Sequence, residues 1–191
     1  MSLWKTLVSR WGSGAGEIDD VRIDFSTNSL QTVEYDHHEI HGGSSYHLSL
    51  TTENLGGETG DHLHISFTTP DTTKWFHLVA HAYGSGQNNF QIREAPTGGM
   101  VGGSAMTPLN RNRNSVNTSG ALLPVSGATV GTGGTLLVDE DRGQGNSNIG
   151  ESRGTQEWML KQDTLYSFRI YDTTNIQAVL ILDWYEHTNK H

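Results

Sequence analysis

Short stretches in which apolar and polar residues alternate recur along most of the chain. Alternation is typical of a β-strand with one buried face, because successive side chains of a strand point to opposite sides of its sheet. Alternation and apolar runs between turn residues predict strands over 45–51, 62–68, 74–83, 90–94, 135–138, 156–160, 164–171 and 176–185. The last range is continuously apolar at its centre, which predicts a strand covered on both faces.

The apolar side chains that share one face of these strands are the candidate core. On three of the strands they are Tyr46, Leu48, Leu50, Leu63, Ile65, Phe67, Phe76, Leu78, Ala80 and Ala82. Many short strands separated by turn residues favour an all-β fold. We predict a jelly-roll-like antiparallel β-sandwich with long loops rich in Gly, Asn and Ser and a short N-terminal arm.

The stretch VEYDHHEIHGGSSYH, residues 33–47, concentrates four of the ten histidines and predicts the first clear strand. On a strand, Asp36, His38 and Ile40 would share one face. The opposite face would carry Tyr35, His37, Glu39 and His41. Such a row can bind a metal, relay a proton or form polar pairs with a facing chain. We interpret this row as a polar surface between strands or subunits, because the sequence indicates no nucleophile and no substrate pocket beside it.

The N-terminal residues predict a short arm. Trp4, Leu7, Val8 and Trp11 recur at helical spacing, and GSGAG at 12–16 ends the segment with a flexible joint. We therefore divide the chain into an arm, 1–19, and a β-sandwich domain, 20–191. The arm packs on its own domain or anchors on a neighbouring subunit. In the second case, deletion of residues 1–16 would abolish anchoring and leave the sandwich folded. Trp158 and Trp184 are instead predicted to pack in the core.

Two glycine-rich stretches, 96–134 and 139–154, contain few apolar residues and are predicted to be long loops. The first includes NRNRNS, in which Arg111 and Arg113 alternate with asparagines. Guanidinium groups offer forked donors suited to carboxylates. We expect this segment to contact a neighbouring subunit.

Composition narrows the possible functions. The formal charge of −9 argues against a nucleic-acid partner. The absence of cysteine excludes disulfides and thiolate zinc sites. No stretch approaches the ~20 apolar residues that cross a bilayer, so no membrane partner is expected.

Candidate cofactor sites are weak. His62 and His64 form an HxH on a strand, which resembles the metal motif of the cupins, but the glutamate that cupins place a few residues later is missing. The acidic stretch DEDRGQGN at 139–146 lacks the closing glutamate of a calcium loop. We expect no metal, no cofactor and no catalytic residues; if a metal binds, His62 and His64 are the candidate ligands. A cupin-like metal-binding protein is the least favoured alternative.

Several segments together resemble a family of virion structural proteins from tailed phages and prophages. The stretches that carry the resemblance are RIDFSTNSLQTVEYDHHEIHGGSSYH (22–47), TTPDTTKWFHLV (68–79), TPLNRNRNS (107–115), EWMLKQDTLYSFRI (157–170) and LDWYEHTNK (182–190). The resemblance implies a particle component without enzymatic activity, encoded near head genes. No catalytic residues come with the family.

We therefore expect a capsid decoration or cement protein on the capsid surface of a virion that is assembled in the host cytoplasm. Its expected partners are the major capsid protein and copies of itself, as a homotrimer. The alternative is a tail or head-fibre component that binds a host surface glycan. The candidate contact residues are Trp4, Leu7, Val8, Trp11, His37, His38, Glu39, His41, Arg111 and Arg113.

Overall fold

A computed structural model describes residues 23–24, 29–30, 35–55, 62–97, 102–127, 131, 133–142, 157–171 and 176–188. The chain divides into two compact units, Met1–Glu34 and Tyr35–His191. In the first unit, strands β1 (Ile23–Asp24) and β2 (Ser29–Leu30) form an antiparallel pair. The predicted boundary at residue 19 lies outside the described residues.

The second unit consists of one helix and eleven strands in its described part. The helix is α1 (Tyr35–Gly42). The strands are β3 (Ser45–Leu55), β4 (His62–Thr68), β5 (Lys74–Gly84), β6 (Asn88–Glu94), β7 (Ser104–Ala105), β8 (Leu109–Asn110), β9 (Leu122–Ser126), β10 (Thr135–Arg142), β11 (Trp158–Leu160), β12 (Leu165–Tyr171) and β13 (Ile176–Thr188).

The strands form two antiparallel sheets that pack as a sandwich, which confirms the predicted fold class. The six-stranded sheet has the order β10-β6-β12-β4-β9-β7, and the five-stranded sheet has the order β11-β5-β13-β3-β8. Without the short strands β7, β8 and β9, eight strands remain. When these eight strands are renumbered one to eight along the chain, the six-stranded sheet has the order 5-4-7-2 and the five-stranded sheet has the order 6-3-8-1. This is the order of a jelly roll.

The core lies between the sheets and is built around aromatic rings. Trp184 stacks on Phe67 with 5.6 Å between ring centroids, and Phe67 stacks on Phe168 at 5.7 Å. All ten predicted core residues lie in this core or pack against it, and nine of them are buried. Trp184 is buried and Trp158 packs against the core, as predicted.

The prediction of a strand over 33–47 is wrong, because residues Tyr35–Gly42 form α1 and the strand begins only at Ser45. The helix ends at two glycines. Gly43 has a φ of +72°, its N–H donates to Ile40 O, and Ser44 N–H donates to Glu39 O. This pair of bonds is a Schellman motif, which satisfies the last carbonyls of a helix.

Two further predictions need correction. The stretch 96–134 is not free of regular structure, because β7, β8 and β9 pair with edges of the two sheets. The strand β13 is not covered on both faces: every second side chain is buried, and the intervening ones are partly exposed. Burial on one face alone follows from its place in a two-layer sandwich.

Candidate interaction surface

Helix α1 presents three histidines to solvent. His37 and His41 lie one turn apart, and their Nε2 atoms are 3.0 Å from each other. His38 is also exposed. Glu39 points inward: it is buried and accepts a hydrogen bond from the Ser44 hydroxyl. Of the four predicted contact residues in this stretch, the three histidines are exposed, whereas Glu39 is buried and bonds within the chain.

The asparagines of the 110–117 loop fasten it to the end of α1. Asn110 Nδ2 donates to Gly43 O at 2.9 Å and to Asn117 O at 3.1 Å, and Asn117 Nδ2 also donates to Gly43 O at 3.2 Å. Asn112 Nδ2 donates to His41 O at 3.0 Å. Asn110 and Asn112 of NRNRNS thus satisfy backbone groups, while Arg111 and Arg113 are exposed.

Together these segments create one surface at one end of the sandwich, which we call the end surface. Its exposed members are His37, His38, His41, Arg111, Arg113 and Val116. Val116 is 94% exposed. The structure thus brings five of the ten predicted contact residues together. Trp4, Leu7, Val8 and Trp11 lie outside the described residues.

A buried carboxylate holds the chain that follows this loop. Glu186, 2% exposed, accepts hydrogen bonds from Ser119 Oγ at 2.7 Å, from Gly120 N–H at 3.0 Å and from Trp184 Nε1 at 3.0 Å. Burial, and to a lesser extent the charge of Glu186, raises the pKa of Tyr46 to about 12. Its hydroxyl therefore stays protonated and donates to the carbonyl of residue 118 at 3.0 Å.

The segment 102–127, which contains strands β7, β8 and β9, exposes apolar side chains along the sheet edges that it covers. Leu109 is 51% exposed and Leu122 is 48% exposed. Leu123 is 79% exposed and has a φ of +49°, a conformation that side chains other than glycine rarely adopt. An exposed leucine held in this conformation is a candidate contact residue.

The opposite edge of the six-stranded sheet is acidic. Strand β10 lies at that edge, and Asp139, Glu140 and Asp141 are exposed on it. Hydrogen bonds from the Gln91 and Asn89 side chains lower the pKa of Asp139. The Asp139 carboxylate therefore remains charged well below neutral pH. The end surface, which carries arginines and histidines, therefore lies near the β8 edge of the five-stranded sheet, whereas the acidic strand β10 forms an edge of the six-stranded sheet.

His62 and His64 lie on the outer face of the six-stranded sheet, with 5.8 Å between their ring centroids. His64 is buried, and its Nε2 is 2.9 Å from Ser167 Oγ. Among the described residues no group of three or more His, Cys, Asp or Glu side chains converges as a metal site. His64 therefore has a structural partner on the neighbouring strand.

A polar and aromatic cluster on the outer face of the five-stranded sheet was not predicted. His77 on β5 and His187 on β13 approach with 2.8 Å between their Nε2 atoms, and Glu157 and Tyr185 lie beside them. The alternation in 74–83 placed His77 on this face, but no local signal pairs it with residues 110 positions away along the chain. Only the jelly-roll order brings these strands together.

The same outer face ends in a shallow cleft of about 190 Å³. It is lined by Thr51, Thr52, Tyr83, Gly84, Ser85, Gln177 and Val179. Hydroxyl and amide groups surround the Tyr83 ring, which offers a mixed polar and aromatic surface to a small ligand.

Comparison of the chain with protein-family models, with curated proteins and with solved structures gave no match. In the described part of the chain, no helix has the length and apolar character needed to span a membrane.

Proposed function

We propose that the protein is a non-enzymatic structural component of a phage particle, where it decorates the capsid and cements neighbouring subunits. The sequence resemblance to phage virion proteins suggests this class. The observation that carries the proposal is the end surface, because its cationic and apolar side chains stand on backbone that is fixed by hydrogen bonds from Asn110, Asn112 and Asn117.

A surface that is ordered before it meets its partner suits a cement protein. Binding is weakened when loops must become ordered at an interface, and a preorganised loop avoids this entropic cost. Arginine is enriched in protein interfaces, where its fork can bind carboxylates. The proposed partner is therefore a capsid subunit that presents carboxylates to Arg111 and Arg113 and an apolar depression to Val116.

The charge distribution favours contacts between copies of the chain as well. The end surface of one copy would complement the acidic strand β10 of the next in a head-to-tail contact, since Arg111 and Arg113 are exposed on the first and Asp139, Glu140 and Asp141 on the second. Head-to-tail contacts close into rings when the rotation between copies allows it. We propose the homotrimer as this ring.

The test is binding to shells of the phage that lack the protein. Arg111→Glu should reduce occupancy on the shells at least tenfold, because it reverses the charge of an exposed guanidinium while Arg111 N–H keeps its bond to Ser45 O. Lys74→Glu is the matched control, since it makes the same change in charge at an exposed residue of β5, two strands away from β3. Equal binding of both variants and the parent protein would contradict a role for the end surface.

A second candidate function is recognition of a host surface glycan by a tail or head-fibre component. The cleft around Tyr83 favours it, because aromatic rings stack on sugars and the neighbouring hydroxyl and amide groups can bind their hydroxyls. Binding on a glycan array that Tyr83→Ala abolishes would support this function over cementing.

A further inference from the structure

The two imidazoles of His77 and His187 face each other across neighbouring strands. His77 lies opposite Tyr185 in the β5–β13 ladder, and His187 lies opposite Trp75, so the two histidines are diagonal neighbours on one face. Their ring centroids are 4.6 Å apart and their Nε2 atoms 2.8 Å apart. His77 retains 18% side-chain exposure, so water reaches the pair from the outer side.

The other nitrogen of each ring meets an acceptor. His77 Nδ1 is 2.6 Å from Glu157 Oε1, and His187 Nδ1 is 3.1 Å from the carbonyl of residue 188. A carbonyl can only accept, and an ionised carboxylate can only accept. Both Nδ1 atoms therefore carry hydrogen. Tyr185 holds the carboxylate in place by donating to the same Oε1, and its ring stacks on His77 at 4.7 Å.

This assignment leaves two Nε2 lone pairs directed at one another. Two lone pairs at hydrogen-bond distance repel unless a cation lies between them, and the cation is either a shared proton or a metal ion. Histidines that bind metals through one nitrogen usually donate the other N–H to a carboxylate or a backbone carbonyl. His77 and His187 have one acceptor of each kind.

We propose that His77 and His187 form a two-imidazole site for a divalent transition-metal ion of the Zn²⁺, Ni²⁺ or Cu²⁺ class. These ions prefer imidazole ligands, unlike Mg²⁺ or Ca²⁺. Tetrahedral coordination at 2.0–2.1 Å would set the Nε2 atoms about 3.3 Å apart, a small opening of the pair. Glu157 is a positioning residue that fixes the tautomer of His77. Water or a group from another molecule completes the coordination. The site does not depend on the proposed function.

The helix α1 provides an internal comparison. His37 and His41 also approach through Nε2, at 3.0 Å, but both are exposed and lie on one helix. A variant in this pair, His41→Gln, is therefore a matched control for His187→Gln.

The experiment is calorimetric titration of chelator-treated, tag-free protein with ZnCl₂ and NiCl₂, with MgCl₂ as the negative control. His187→Gln should lose one binding event per chain that His41→Gln retains. Glu157→Ala should keep the event but weaken it 10–100-fold, and Glu157→Gln, whose amide oxygen can still accept from His77 Nδ1, should recover most of it. Thermal unfolding in the absence of metal verifies that each variant is folded.

Electron paramagnetic resonance of the Cu²⁺-loaded protein gives a second readout. Coupling to two imidazole nitrogens should be present in His41→Gln and absent from the double variant His41→Gln/His187→Gln, which retains neither imidazole pair. Binding that is the same in the parent protein and His187→Gln would overturn the proposal. Absence of any binding at millimolar Zn²⁺, Ni²⁺ or Cu²⁺ would also overturn it and assign the shared cation to a proton.

Discussion

At the residue scale, glycine is required at position 43 but not at position 42. Gly43 has a left-handed backbone conformation, and a Cβ there would lie 2.8 Å from Ser115 Cβ. Its carbonyl also accepts hydrogen bonds from two asparagines of the 110–117 loop. One residue therefore ends α1 and allows the loop to approach it.

Gly43→Ala should lower the free energy of unfolding by at least about 1–2 kcal/mol, the cost of left-handed backbone for a residue with a Cβ. Gly42→Ala is the matched control, since its Cβ would meet only Ser44 Oγ at 3.7 Å. Urea unfolding measures both. A Gly43→Ala variant as stable as Gly42→Ala would contradict the described helix end.

Glu94 links stability to pH. Lys161 Nζ lies 2.6 Å from Glu94 Oε1 and Tyr166 donates to Oε2 at 2.9 Å. The hydrogen bond from Lys161, followed by that from Tyr166, lowers the pKa of Glu94 in spite of its burial. A carboxyl whose pKa is lowered by folding stabilises the protein above its unfolded pKa, and this contribution is lost as the pH falls through the folded pKa.

Glu94→Gln should therefore be less stable than the parent protein at pH 7, and the difference should shrink as the pH falls below the ordinary glutamate value of 4.5. Denaturant unfolding across pH 7 to 3 tests this. Asp71→Asn, at an exposed position, should run parallel to the parent curve. A difference between Glu94→Gln and the parent protein that stays constant with pH would show that the carboxylate pairing contributes nothing.

At the scale of elements, the strands were predictable and the helix was not. The predicted ranges 45–51 and 74–83 correspond to β3 (Ser45–Leu55) and β5 (Lys74–Gly84), because each has one buried face. Helix α1 has no apolar face that would give a helical period. Tertiary contacts and its C-terminal cap hold it instead. The glycine pair at 42–43 was the one local signal for its end.

The short strands in 96–134 escaped prediction for a related reason. Two-residue strands such as β8 (Leu109–Asn110) carry no alternation, and they form because sheet edges are available to pair with them. The end surface was likewise predictable only in part. The sequence predicted His37, His41, Arg111 and Arg113 as candidate contact residues, and all four are exposed. Only the fold brings the helix and the loop together.

Asn110 is the residue that joins these two elements. Asn110→Ala removes both donations to backbone carbonyls and leaves Asn112 N–H without its acceptor, Asn110 Oδ1. Losing partners for buried polar groups costs roughly 1–3 kcal/mol each.

We expect amide exchange at Gly43 and Ser44 to accelerate in Asn110→Ala while exchange in β5 and β13 stays slow. The matched control, Asn114→Ala, changes an exposed side chain of the same loop and should leave exchange unchanged. Equal protection of Gly43 in the two variants would show that the loop does not hold the helix end.

At the scale of the whole molecule, the separation of cationic and acidic surfaces predicts self-association by head-to-tail contact. Arg111→Glu and Asp141→Lys should each weaken the oligomer by charge repulsion, and the double variant Arg111→Glu/Asp141→Lys should recover much of the loss. Sedimentation velocity at low salt measures the three variants. Additive weakening in the double variant would show that the two surfaces do not meet.

The central claim is that the protein belongs to a phage particle. Quantitative mass spectrometry of density-purified particles of the proposed parent phage tests this claim most directly. A decoration protein should be present in copy numbers comparable to the major capsid protein. Much lower copy numbers, as expected of a vertex, fibre or tail protein, would favour the glycan-binding alternative. Absence of the protein from clean particles would contradict the account.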